Sequence, residues 1–181
     1  MFRDLARMTA SLKGPCYEGA LIARAVWERG GEDGAGSGMR ILRDHHGLLE
    51  VVAYDGSGRL TVTMMLGRSA PTRERAKGRA LSLLVDGTPA KEQLSLCFSA
   101  EAVHAFVQSV GDTNALHAGP APLVPGLAIL EAALLQLSGD DVRRAELRFR
   151  GASFAVETIE VTVQQRRAAH GPACWPAGRG A

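Results

Sequence analysis

Cysteine is scarce and scattered: the three residues, Cys16, Cys97 and Cys174, are odd in number and form no Cys-x-x-Cys pair. That argues against a disulfide frame or a cysteine zinc site and fits reduced thiols. Aromatic residues make up only 5% of the chain, and the formal net charge is +2. No basic stretch is interleaved with stacking rings, so nucleic acid is not an expected partner. No apolar run approaches the roughly 18 residues of a membrane span, which removes a membrane partner from the expectation. The opening MFRDLARMTASLKGP lacks the apolar centre of a secretory signal. The expected location is therefore cytoplasmic.

What is present is a soluble globular composition, 46% apolar and 22% charged. At 181 residues the chain can hold one domain, or one and a part. Residues 17–29 are β-compatible, and a Gly-rich connector follows at 30–38. From Met39 to Gly67 the pattern predicts three short strands, with turns at His45-His46-Gly47 and at Asp55-Gly56-Ser57-Gly58. In the last of them Leu60, Val62 and Met64 share one face.

Residues 67–80 are basic and aperiodic, and read as a linker. A short strand is expected near 93–98. Ser99 then N-caps a helix with Val103, Phe106, Val107 and Val110 on one face, stopped by Gly111. A second helix opens at Pro125-Gly126 and is apolar nearly all round, which predicts burial. Residues 145–165 return to strand, and the tail 166–181 is expected to be disordered.

Residues 5–26 align on 142–163 without a gap, at an offset of 137. Gly14 falls on Gly151, Lys13 on Arg150, Leu12 on Phe149 and Tyr17 on Phe154. The repeat suggests two copies of one unit, both incomplete. The expected organisation is a partial strand unit over 1–68, a basic linker over 69–92, a unit bearing the chemistry over 93–165, and the tail.

The chemistry is concentrated in GDTNALHAGPAPLVPGLAILE, residues 111–131. Asp112, Asn114 and His117 precede the Pro-Gly step, and Glu131 lies in the second turn of the apolar helix. A charge in a segment otherwise written for burial is costly unless it is used or satisfied. His45-His46 lacks a third ligand nearby and reads as a solvated turn, so no metal is expected.

The segment FSAEAVHAFVQSVGDTNALH resembles the (R)-specific enoyl-thioester hydratases of the hotdog fold, whose motif spaces an Asp and a His as Asp112 and His117 are spaced. Ala115 replaces that family's usual Pro. HAGPAPLVPGLAILEAALL resembles the 3-hydroxyacyl-carrier-protein dehydratases, which set an acid fourteen residues beyond the His, as Glu131 is from His117. Leu116 and Ala118 depart from the Gly and Phe of that pattern.

The resemblance implies an α+β hotdog fold, an antiparallel sheet wrapped around a central helix, as a homodimer or an irregular double hotdog. It implies a lyase interconverting 3-hydroxyacyl and trans-2-enoyl thioesters on acyl carrier protein or coenzyme A, in fatty-acid or polyketide synthesis, with no cofactor. His117 would shuttle the proton, with Asp112 or Glu131 as its acid partner. Asn114, Pro125 and Gly126 would bind substrate, the helix start supplying N–H donors to a thioester oxyanion and Gly126 allowing close approach. The alternatives are a catalytically silent hotdog, either a structural subunit or a truncated remnant of a larger synthase, and, with less support, a hotdog thioesterase.

Overall fold

The two turns read from the sequence build the first half of the sheet. In the computed structural model, which describes residues 2–30, 36–67, 71, 81–87, 89, 91–137 and 142–166, strand β1 (Leu21–Arg29) precedes a meander. Its strands are β2 (Gly38–His45), β3 (Leu48–Asp55) and β4 (Gly58–Met65). Between β2 and β3, His46 and Gly47 take positive φ of 50° and 73°, the conformation of a two-residue primed turn whose twist suits a hairpin. Between β3 and β4, the Asp55 carboxylate accepts from the N–H groups of Ser57 (2.8 Å) and Gly58 (3.1 Å) and from the Ser57 hydroxyl. The acid at the head of this turn closes it.

Helix α1 (Phe2–Ala10) packs over β2, β3 and β4. The rest of the chain supplies β5 (Leu81–Asp86), β6 (Gln93–Cys97), helices α2 (Ala100–Val110) and α3 (Gly126–Gln136), then β7 (Arg144–Arg148) and β8 (Thr158–Gln165). The eight strands of the described residues form one sheet, in the order β2-β3-β4-β1-β7-β5-β8-β6. Among the described residues, only β5 and β8 pair in parallel.

Helix α3 packs against both β1 and β6, which have three strands between them. On a flat sheet these strands would lie about 19 Å apart, beyond the reach of one helix of about 10 Å diameter. The sheet therefore curls around α3. This is the α+β hotdog arrangement, here with one continuous sheet and a second, shorter helix, α1, filling its other half. A single buried cluster joins the halves, from Leu5 and Leu49 to Leu83, Ile129 and Leu147.

Ser99 caps α2 as expected, its hydroxyl accepting from Ala102 N–H at 3.1 Å, and Gly111 ends it in the left-handed region, φ 68°. Two elements depart from the sequence reading. The stretch read as a linker, 69–92, contains β5, an interior strand in which Leu81, Leu83 and Val85 alternate inward. Basic neighbours outweighed that short alternation. Helix α1 was not expected, although Leu5, Ala6 and Thr9 give it a buried stripe at helical spacing.

The repeat holds from the turn onward but not before it. Residues 2–10 are helical, whereas Arg144–Arg148 is strand. β1 and β8 do not compete for one position: β1 lies between β4 and β7, and β8 between β5 and β6. Most of the Gly-rich connector, most of the basic stretch and the tail beyond Arg166 lie outside the described residues. Among the described residues no helix is long and apolar enough to cross a membrane.

Candidate functional site

The link from α2 to α3 is folded by its own side chains. Asp112 Oδ1 accepts from Asn114 N–H at 2.9 Å, and Asn114 Oδ1 accepts from Leu116 N–H at 3.2 Å. Asn114 Nδ2 donates to Ala20 O at 3.0 Å, tying the link to the residue before β1. These bonds turn the chain so that His117 points inward, with only 8% of its surface exposed. Its Nδ1 lies 2.7 Å from Leu123 O. A carbonyl can only accept, so Nδ1 carries the hydrogen, and in the neutral ring the lone pair is then on Nε2.

That Nε2 faces Asp112 Oδ2 at 3.6 Å. The separation is too long for a hydrogen bond, but both atoms can reach one small substrate group. Asp112, Asn114 and His117 line a cavity of about 1080 Å³, together with Pro125, Gly126 and Leu127 at the start of α3. The first N–H groups of a helix have no acceptor within it. Ala128 and Ile129 N–H already donate to Pro125 O, at 3.0 and 3.2 Å. The N–H groups of Gly126 and Leu127 come earlier still, at the positive end of the helix dipole.

Glu131 is not brought to this cavity. Arg3, reaching from α1, donates to both its oxygens, at 2.8 and 2.9 Å, and also lies over the Phe106 ring. The carboxylate that burial made conspicuous is satisfied by a guanidinium 128 residues away in sequence. Asn114 lines the cavity, but its side chain is engaged with backbone on both ends. At Gly126 the space of the missing side chain is filled by protein: a Cβ there would lie 2.8 Å from Phe149 Cζ and 3.3 Å from Ile22 Cβ. The close approach expected of a substrate is made instead by the Phe149 ring.

Gly126→Ala is therefore expected to displace that ring into the cavity and cost about 1–2 kcal/mol through overpacking. Denaturant midpoints check it, and Phe149→Leu in the same chain should restore most of the loss. A double variant no more stable than Gly126→Ala alone would show that the contact is not the cause.

The sequence reading missed part of the wall: Ala6, Thr9 and Ala10 of α1, and the turn residues Lys13 and Arg150. The small residues of α1 at helical spacing were the available signal. The His45 and His46 rings, 3.7 Å apart, are both exposed. Among the described residues no group of three metal-ligating side chains occurs.

No protein-family model matches the chain, and no curated protein matches it. Among solved structures, the crystal structure of a MaoC-like dehydratase from Phytophthora capsici is similar, with 20% sequence identity and a TM-score of 0.46. The match covers 82% of this chain and 62% of that one, so the chain spans less than two thirds of that structure's length.

Proposed function

We propose that the chain interconverts 3-hydroxyacyl and trans-2-enoyl thioesters, carried on acyl carrier protein or coenzyme A, with Asp112 and His117 as its acid-base pair. One observation carries this reading. A buried imidazole with an oriented lone pair faces a carboxylate at 3.6 Å on the wall of a cavity of about 1080 Å³ that also holds the start of a helix.

In dehydration, His117 Nε2 takes the proton from the carbon next to the thioester carbonyl. The carboxyl of Asp112, protonated at that stage, gives its proton to the departing hydroxyl, which leaves as water. The electron pair forms the carbon–carbon double bond, and a proton passed from His117 to Asp112 restores the pair. Hydration runs the same steps backwards. Negative charge on the thioester oxygen during enolisation is met by the N–H groups of Gly126 and Leu127. The pair needs no metal or organic cofactor for these steps. Asp112 and His117 both belong to one chain, five residues apart, and the resemblance implies that two such chains pair as a homodimer.

A trans-2-enoyl thioester incubated with the protein tests the reading. The expected result is loss of the enoyl absorbance with a mass gain of one water and no free thiol. Free thiol would favour a thioesterase instead. No reaction by folded protein would favour a catalytically silent hotdog.

A further inference from the structure

The two copies of the internal repeat meet at the cavity that Asp112 and His117 line. The offset of 137 pairs Leu12 with Phe149, Lys13 with Arg150 and Gly14 with Gly151, and all six residues line it. The strands after these turns keep the offset, Leu21 of β1 falling on Thr158 of β8. Because β1 and β8 occupy different places in the sheet, the turns reach the cavity from separate elements. Each contributes an apolar residue packed against the core, Leu12 or Phe149. Each follows it with an exposed cation, Lys13 or Arg150. The duplication thus places a greasy wall inside and a positive charge on the rim, twice.

The ammonium of Lys13 contacts two neutral oxygens, Gly111 O at 3.4 Å and Thr113 Oγ1 at 3.3 Å. The carboxylates in the lining are Glu18 and the Asp112 of the catalytic pair.

We propose that Lys13 and Arg150 bind the phosphate of the pantetheine arm that delivers the thioester. This rests on the thioester reading above and names its missing half. With the reacting carbons at His117, the arm must leave by the mouth, and its first charged group is a phosphate. A compact ammonium and a planar guanidinium, presented by separate turns on the wall of one cavity, are both groups that bind phosphate oxygens. The same phosphate occurs in coenzyme A and on a carrier protein.

The test compares but-2-enoyl thioesters of pantetheine, 4′-phosphopantetheine, coenzyme A and a loaded acyl carrier protein, measuring kcat/KM and, by calorimetry, binding. The parent should prefer 4′-phosphopantetheine over pantetheine at low salt, and the preference should shrink as salt rises. Lys13→Gln and Arg150→Gln should each reduce that preference by about threefold to fivefold, the scale of an exposed charge pair. The double variant should abolish it. An extra gain with coenzyme A, or with the carrier protein, identifies the source of the phosphate.

Equal parent affinity for the phosphorylated and unphosphorylated arms, or a preference that survives in the double variant, overturns the inference. If the parent turns over none of the four, the catalytic reading fails by itself. Binding still decides the phosphate: a salt-sensitive preference lost in the double variant supports it, and equal binding overturns it.

Discussion

Asp112→Asn should abolish most enoyl-thioester hydration, lowering kcat by roughly 10²–10⁴ with little change in KM. The substitution keeps the shape and the oxygen that accepts from Asn114 N–H, but removes the group that exchanges a proton. His117→Ala should lose as much. It also strips Leu123 O of its partner, at about 1–3 kcal/mol, so its stability must be measured beside its rate. Glu131→Gln separates the two candidate acids. Its carboxylate is bound to Arg3 outside the cavity, so kcat should stay within about threefold, and loss of the pair, whose arginine is half exposed, should cost about 1 kcal/mol. Steady-state kinetics on the three variants decide the assignment. Parent-like turnover in Asp112→Asn would remove Asp112 from the mechanism, and an equal collapse in Glu131→Gln would overturn the assignment of the acid to Asp112 alone.

The contrast between these carboxylates shows how far the sequence could be read. Asp112 and His117 are five residues apart, and the turn between them is held by local bonds through Asn114, so spacing alone could bring them together. Glu131 was conspicuous because its helix is apolar, but its partner lies 128 residues away. No local pattern encodes that pairing. The same limit explains β5, whose interior place depends on partners at Arg144–Arg148 and Thr158–Gln165. The turns at His46-Gly47 and Asp55–Gly58 and the caps of α2 were legible because their determinants are adjacent residues. Gly126 was legible as a necessary glycine, but the atom approaching it was not, since Phe149 follows β7 and is set against Gly126 by the fold and not by local spacing.

Stability should depend on one acid more than on any member of the site. Glu146, on the outer face of β7, has a side chain only 5% exposed. Arg24 of β1 lies directly opposite Arg148 of β7, an unfavourable like-charge pairing unless something lies between them. Glu146 does so: it accepts from Arg24 at 2.9 and 3.2 Å, from Arg148 at 2.8 Å and from Arg144 at 3.2 Å. The Arg24 hydrogen bonds, with those of Arg148, hold its carboxyl down to about 2, against an opposing push from burial. A carboxyl lower in the folded state than its ordinary 4.5 stabilises the fold above pH 4.5, and that contribution drains away as pH falls toward 2. At 1.36 kcal/mol per unit this amounts to about 3 kcal/mol at neutral pH. Glu146→Gln, which mimics the protonated acid, should thus be about 3 kcal/mol less stable than the parent at pH 7. The two should converge as the pH approaches 2. Urea unfolding across that range checks both the size and the direction. A gap that stays constant down to pH 2 would mean that packing, and not the charge shared among three arginines, is what Glu146 contributes.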